Sequence, residues 1–239
     1  MLDWAADHFR LTGFLRGDVP QDATWRSVTG EDAETSIVDR RLGTSEEQGD
    51  YRGFRLAAGT APGRYDWRIG PQIPAGASPE FPSVPLGTGK EAIDAVARMV
   101  LSQPPVPVRI ALGAILYARV ESREDGYEKL ARLLKSVKLD PAAEDFTFQI
   151  NWPRQSTVFP DIKVNRLTTW SVEQRTPIFI GGPAGTHVGA GKAHYRCRVV
   201  LDLSTDAKRQ ESLPKDRVLE LWSELGSMAL EIAKEGEIR

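Results

Sequence analysis

The sequence of 239 residues contains a single cysteine and only three histidines. One thiol, Cys197, excludes a disulfide framework and a thiolate-rich metal site within one chain. Its place in an alternating apolar strand predicts a buried, unreactive side chain. The set that could bind a metal is His187, His194 and Asp202, but its spacing matches no recognised ligand pattern. We therefore expect no metal site and no cofactor.

Long apolar runs and a strong net charge are also missing. The longest apolar stretch, IALGAILYA, is about half of what a membrane span requires. The first residues, MLDWAADHFR, lack the basic and apolar regions of a signal peptide. A net charge of −2 gives no global field that would attract nucleic acid. We expect a soluble, cytoplasmic protein with no membrane partner, and the composition suits a bacterial source.

Recognisable phosphate-binding motifs are missing as well. The stretch IFIGGPAGTHVGAGKAHYRCR (178–198) contains five glycines. It fails as a P-loop because Gly191-Lys192 precedes Ala193 instead of serine or threonine, and because a strand follows instead of a helix. This pattern predicts a glycine-rich hairpin loop.

A second glycine-containing stretch, PLGTGKEA (85–92), opens a predicted helix. Thr88 and Glu91 fit a capping box, and an anion bound at the helix N-terminus is the alternative. No carboxylate pair and no Ser-His-Asp or Cys-His set follows from spacing alone. We assign no catalytic residue and lean against an enzyme, although an active site assembled from distant residues stays open.

The sequence does contain the patterns of a folded core. Hydrophobic residues make up 41% of the chain and charged residues 27%, as in ordinary globular proteins. Alternating apolar residues predict strands, and apolar residues at helical spacing predict helices. The predicted helices lie near 90–102 and 125–138 and at the C-terminus, with a helical turn at Trp25. The predicted strands are FRLTGFL, YRGFRLAAGT, GRYDWRIGP, RIALGAILYARV, FTFQINWP, IKVNRLTTWSVEQ and AHYRCRVVLDLST.

These elements indicate an α+β fold with mostly antiparallel sheets, flanking helices and two similar-looking strand-and-helix halves. The N-terminal α+β half spans 1–103 and the C-terminal α+β half spans 104–239. We expect them to pack as one unit or as two intimate subdomains. Residues 31–50 show no clear period and predict an exposed loop or hairpin tip. Residues 71–89 contain five prolines and predict an irregular connection.

The second half resembles a sporadically distributed bacterial family of uncharacterised proteins of roughly this length. The matching features are RIALGAILYARV with the turn and helix after it, the Asn-Arg pair of VNRLTTW, and VVLDLST followed by a helix that carries leucine and tryptophan. The resemblance implies an architecture and no reaction, so no catalytic residue is transferred.

Arginine and tryptophan concentrate in the predicted strands. Residues 147–198 contain seven Lys or Arg residues and two acids. If these strands are neighbours, the side chains share one sheet face that could bind carboxylate or phosphate bidentately and stack a ring. The alternative is a core of tryptophans covered by arginine stems. The candidate binding residues are Arg68, Trp152, Arg154, Asn165, Arg166, Trp170, Lys192, Arg196 and Arg198.

A basic, aromatic region without an acid–base pair beside it favours a non-catalytic protein-interaction or accessory module of a bacterial cytoplasmic system. Tryptophan and arginine are frequent anchors of protein interfaces. We expect a protein partner or self-association. The alternative is a nucleotide or nucleic-acid binding protein that uses the same Arg/Trp face, with or without phosphoester chemistry.

Overall fold

The computed structural model describes residues 2–17, 19, 25–72, 83–101, 106–176, 178–181, 187–190, 192–209 and 211–236. Its helices are α1 (Trp25–Thr29), α2 (Leu86–Leu101), α3 (Arg123–Leu133) and α4 (Val218–Glu235), and a 3-10 turn over Lys215–Arg217 precedes α4. Its strands are β1 (Ala5–Phe14), β2 (Thr35–Asp39), β3 (Thr44–Tyr51), β4 (Phe54–Ala61), β5 (Arg64–Pro71), β6 (Val84–Pro85), β7 (Arg109–Val120), β8 (Thr147–Asn151), β9 (Arg154–Gln155), β10 (Lys163–Arg175), β11 (Ile178–Gly181), β12 (His187–Ala190) and β13 (His194–Thr205).

Eleven of these strands form one antiparallel sheet. The order is β2-β3-β4-β5-β1-β7-β13-β10-β8, with β6 beside β1 and β9 beside β10. Strands β1 and β7 meet in the middle, in a register that runs from Ala5↔Tyr117 to Phe14↔Arg109. Strands β11 and β12 form a separate two-stranded hairpin. The predicted α+β fold with a mostly antiparallel sheet is confirmed.

Two tight turns follow directly from local sequence. Arg52 and Gly53 join β3 to β4 with φ angles of 49° and 84°. Two consecutive residues with positive φ are typical of a type I′ turn, which matches the twist of the strands that it joins. Pro62 and Gly63 join β4 to β5, and Gly63 has a φ of 68°, which glycine tolerates without a Cβ clash.

All four helices pack on the same face of the sheet. Gly89 of α2 lies against Phe9 of β1, and Gly126 of α3 lies against Val172 of β10. The register places Phe9 and Val172 on one face. Helix α4 packs beside α2, and α1 contacts α2. The other face of the sheet therefore receives no helix among the described residues.

The core lies between the sheet and these helices. Trp170 of the sheet and Trp222 of α4 are at most 1% exposed. Leu225 and Met228 of α4 are fully buried too, which confirms the apolar face predicted for the C-terminal helix. Burial of apolar surface stabilises the fold by about 25 cal/mol per Å², and most of it occurs on this one side of the sheet.

Several predicted connections differ from the structure or fall outside its described part. Residues 35–51 form the β2–β3 hairpin, so the predicted exposed loop was wrong there and the hairpin alternative is the correct one. Helix α2 begins at Leu86, which places Thr88 inside the helix and overturns the predicted capping box. Residues 73–82 of the proline-rich connection, and the boundary at 103 and 104, lie outside the described residues. The relation between the two halves stays a prediction. No helix in the described ranges is long and apolar enough to cross a membrane.

Gly89 and Gly87 of α2 allow a matched test of this packing. A methyl group at Gly89 would overlap the ring of Phe9, whereas nothing lies within 4 Å of one at Gly87. We expect Gly89→Ala to lower the free energy of unfolding by about 1–3 kcal/mol, because the core is overpacked. Gly87→Ala should leave it unchanged or raise it by up to about 1 kcal/mol, because alanine favours helix. Urea unfolding followed by circular dichroism measures both, and equal effects would contradict the packing of α2 on β1.

Candidate functional site

The face of the sheet that no described helix covers is rich in arginine. We call it the helix-free face, and it consists of the alternate positions of the strands that include Arg10 and Glu173. Over β5, β1, β7, β13 and β10 it carries three carboxylates, Asp66, Glu173 and Asp202, and Asp7 lies at the bulge of β1. The nine cationic residues on these five strands are Arg10, Arg64, Arg68, Arg109, Arg119, Lys163, Arg175, Arg196 and Arg198. Strands β2, β3 and β4 continue the same face and add Arg55 and the carboxylates of Asp39, Glu46 and Asp50.

A groove of about 430 Å³ lies on this face between the β2–β3 hairpin and the middle of the sheet. Gly59 of β4 lines the groove with its backbone alone, and Ile37 of β2 lines it with an apolar side chain. The charged lining residues are Arg10, Asp39, Glu46, Arg64, Asp66 and Arg68.

Asp66 organises the arginines of the groove. Arg64 Nε lies 2.8 Å from Asp66 Oδ2, and Arg10 Nε lies 3.9 Å from Oδ1. The Thr12 hydroxyl donates a hydrogen bond to Oδ1 at 2.5 Å. The side chains of Arg10 and Arg64 are 50% and 46% exposed, so both remain accessible. Ion pairs this exposed stabilise a fold by about 0–1 kcal/mol, so exchanging them for a partner's carboxylate costs little.

Half-buried His8 belongs to the same face. Burial lowers the pKa of His8 below its ordinary value, Asp7 opposes this effect, and Arg68 and Arg10 lower the pKa further. Arg68 also pairs with Glu46 at 2.5 Å. The neutral imidazole is therefore favoured beside the groove, and a carboxylate brought by a ligand would raise the pKa of His8.

Glu173 gathers three arginines on the other flank of the sheet. Its carboxylate lies 3.1 Å from Arg175 Nε, 3.3 Å from Arg196 Nη2 and 3.2 Å from Arg198 Nε. Arg196 is 3% exposed and Arg198 is 25% exposed. These two predicted binding residues are thus held by a carboxylate of their own chain.

Two aromatic rings of the helix-free face are each covered by a guanidinium group. Arg196 stacks over the ring of Tyr117 at 4.8 Å, and Arg109 stacks over the ring of Phe14 at 4.6 Å. A cation over a ring face is attracted by the ring's quadrupole. These rings therefore already have a stacking partner where a nucleobase would lie.

The structure divides the predicted Arg/Trp face between the two sides of the sheet. Arg166 and Trp170 lie on the helix-covered side, in register with Leu203 and Val199, and are 3% and 0% exposed. Arg196 and Arg198 lie on the helix-free face. The prediction that all of these side chains share one face was wrong. Side chains alternate along each strand, and the register of β10 against β13 places Arg166 and Trp170 on the side opposite Arg196 and Arg198.

Arg166 is tied into the fold by neighbouring backbone. Its Nε donates to the Trp152 carbonyl at 2.7 Å, and its backbone N–H donates to Asn151 Oδ1 at 2.9 Å. Burial lowers the pKa of Arg166, and nearby Arg154 lowers it further. Arg154 itself pairs with Glu231 of α4 at 3.3 Å. This group links β8 and β10 to the last helix.

The remaining predicted residues are scattered. Asn165 Oδ1 accepts a hydrogen bond from Asn151 Nδ2 at 3.4 Å. Lys192 is exposed just before β13. Arg68 lies in the groove, on the flank of the sheet opposite Arg198. Of the nine predicted residues, therefore, Arg68, Asn165, Arg196 and Arg198 stand on the helix-free face, and only Arg68 lines the groove.

The candidate metal ligands are not brought together. His194 and Asp202 are separated by eight residues of extended strand, or about 26 Å, so they cannot share an ion. No group of three or more His, Cys, Asp or Glu residues within the described ranges could hold a metal. Cys197 is buried, and burial raises its pKa to about 12. Its predicted burial is confirmed, and the raised pKa disfavours the reactive thiolate.

The glycine-rich stretch takes the predicted hairpin form where the structure describes it. Strands β11 and β12 pair from Ile178↔Ala190 to Gly181↔His187, and strand β13 follows Lys192. A P-loop would require a helix at that point. Residues 182–186 and 191 of this stretch lie outside the described residues.

Sequence reasoning missed most of the groove. Arg10 and Arg64 were not predicted, and Asp66 was noted beside Arg68 but not included among the binding residues, although RYDWR (64–68) alternates charged residues with buried aromatic ones. That alternation was the available signal. It shows that the charged positions share a face, but it cannot show that a distant hairpin walls the same surface.

No protein-family model, no curated protein and no solved structure matches the chain. The resemblance of the second half to a bacterial family therefore stays a prediction. The site is interpreted below from its own geometry.

Replacing Glu173 tests whether Arg196 and Arg198 are primarily structural. Glu173→Gln removes the negative charge that neutralises a buried guanidinium, so we expect the free energy of unfolding to fall by about 1–3 kcal/mol. Glu144→Gln is the matched control, since Glu144 is 77% exposed and pairs with Arg123 at the surface. Its effect should stay below about 0.5 kcal/mol. Equal stability of the two variants in urea unfolding would contradict a structural role for the Glu173 cluster.

Proposed function

We propose that this chain is a non-catalytic protein-binding module of a bacterial cytoplasmic system, and that its helix-free face receives an acidic protein surface. The observation that supports this most directly is the excess of cationic over acidic side chains on that face, in a chain whose net charge is −2. Complementary charge steers association and selects partners.

The dimensions of the face fit a protein partner. Strands lie about 4.8 Å apart and rise about 3.3 Å per residue, so five strands of some ten residues cover about 24 by 33 Å. This is close to the roughly 800 Å² that each partner contributes to a standard interface. The groove offers a place where an acidic side chain of the partner could enter among Arg10, Arg64 and Arg68.

Arginine suits this role better than lysine would. Its planar guanidinium group presents several donors and pairs with carboxylates bidentately. Asp66 and Glu46 hold the groove arginines in place before binding, which reduces the side-chain entropy lost on association. An incoming carboxylate then replaces a weak, exposed ion pair. The arginine side chain is already ordered, so little further entropy is lost.

A second candidate is binding of nucleic acid, which the same excess of arginine favours. Base stacking on aromatic side chains usually contributes to single-strand binding. Here Tyr117 and Phe14 are covered by Arg196 and Arg109, which supports protein binding over this candidate.

A peptide selection tests the proposal. Peptides from a random display library are enriched on the wild-type chain and then measured against Arg10→Glu/Arg68→Glu. We expect peptides rich in Asp and Glu that bind the double variant at least about tenfold more weakly, because like charges now face each other. Binding should also raise the pKa of His8, which a histidine-resolved NMR titration detects.

The matched control is Arg98→Glu/Arg132→Glu, which makes the same charge change at exposed positions of α2 and α3. It should bind the peptides as the wild type does. Enriched peptides that lack acidic residues, or that bind both double variants equally, would refute the proposal. Tight binding of oligo(dT) that falls steeply between about 50 and 200 mM salt would favour the second candidate instead.

A further inference from the structure

Exposed apolar side chains cluster at one edge of the sheet. Among the described residues, the large hydrophobic side chains that stand out as exposed are Ile37, Val38 and Leu42, at 60%, 63% and 63%. All three lie in the β2–β3 hairpin. Single exposed apolar residues need no explanation, but their concentration in one element marks a contact surface.

Strand β2 is also an edge strand with an open hydrogen-bonding side. It is the first strand in the sheet order, and its one partner within the described ranges is β3. All five of its residues are exposed. Natural sheets usually protect such an edge with lysine, proline or a bulge. The sequence TSIVD (35–39) contains no lysine or proline, and its pairing with β3 runs without a register shift.

We propose that β2 pairs antiparallel with β2 of a second copy of this chain, centred on Ile37. A strand that adds to a sheet edge satisfies its open N–H and C=O groups and buries alternate side chains. The two Ile37 side chains would then lie opposite each other on the helix-free face.

The charges around β2 favour this pairing of identical strands. Three acids, Glu31, Asp32 and Glu34, precede the strand, and two arginines, Arg40 and Arg41, follow it. In an antiparallel pair centred on Ile37, the acidic end of each copy faces the basic end of the other, with Glu34 opposite Arg40. Glu34 and Asp32 also pair with Arg55 and Arg26 of their own chain, so the contribution of the charges is orientation more than affinity. A parallel pair would place like charges side by side, which is destabilising.

Closure of the assembly also favours β2 with β2. Pairing of β2 with the opposite edge strand, β8, would leave a free edge at each end and would continue into filaments. The two-fold arrangement buries both β2 edges in one contact and stops there. It aligns the helix-free faces of the two copies on the same side, so the two grooves flank the seam. This inference is independent of the proposed function.

Site-specific crosslinking tests the register. The chain's own cysteine, Cys197, is fully buried, so an introduced cysteine is the only accessible thiol among the described residues. Ile37→Cys places two thiols opposite each other, within reach of a disulfide, and oxidised glutathione should convert the chain to a covalent dimer. Thr35→Cys should crosslink poorly, because the two thiols lie about 13 Å apart along the strands. Thr147→Cys on β8 should not crosslink.

Sedimentation velocity tests the association itself with the full chain. The wild type should dimerise with rising concentration, and Ile37→Lys should weaken dimerisation about tenfold or more, because it replaces an apolar contact with two facing charges. Arg10→Glu/Arg68→Glu should dimerise as the wild type does, which separates this inference from the proposed function.

A charge exchange gives the decisive control. Glu31→Arg/Asp32→Arg/Glu34→Arg and Arg40→Glu/Arg41→Glu should each remain monomeric alone and should form a heterodimer when mixed, because opposite charges then face each other at both ends. A wild type that stays monomeric up to about 100-fold above typical cellular concentrations of about 1 μM would overturn the proposal. Dimerisation that Ile37→Lys leaves unchanged, or crosslinking through Thr147→Cys, would overturn it equally.

Discussion

The antiparallel pairing of β1 with β7 is the constraint on which the rest of the structure depends. It joins two segments that are far apart in the sequence, Ala5–Phe14 and Arg109–Val120. Every other strand of the main sheet adds to one side of this pair or the other. It also positions the groove. The Arg10 side chain lies 3.6 Å from where a Cβ on Gly113 would stand, so its guanidinium group rests in contact with β7. The central pair therefore fixes both the core and one of the candidate binding residues.

The four helices of the described residues all lie on one side of the sheet, which gives the two faces different chemistry. The covered side takes the large apolar residues, whose burial drives folding. The other side must remain compatible with water, and arginine meets that requirement because its stem can lie on the sheet while its head stays solvated. Buried Arg166 donates to the Trp152 carbonyl. On the helix-free face the exposed groove arginines, Arg10, Arg64 and Arg68, pair with Asp66 and Glu46 and remain available for exchange, whereas buried Arg196 is held by Glu173.

The existence of most strands and helices was predictable because their hydrophobic patterns are strong. Alternation in RYDWRIG and in the strand at 194–205, and the apolar stripe of α4, depend on local sequence alone. The binding surface was less predictable. Alternation shows that Arg196 and Arg198 share a face and that Arg166 and Trp170 share a face, but it cannot show whether the two faces coincide. That depends on the register of β10 against β13. The β2–β3 hairpin was predicted only as an alternative to an exposed loop, since TSIVD and TSEEQGDY are too polar for either period to stand out.

The arrangement of charges implies selectivity more than raw affinity. Each groove arginine already has a carboxylate partner, so an acidic surface gains only the difference between its own ion pairs and those that it replaces. For exposed pairs that difference is small, and a diffuse polyanion would gain little at ionic strengths where the Debye length is about 8 Å. A partner that places one carboxylate into the groove at Gly59 while matching the flat surface beside it gains several pairs at once and excludes water from them. The geometry therefore favours an acidic polypeptide that fits the groove over a uniformly charged polyanion such as nucleic acid, and the intrachain carboxylates are what create that preference.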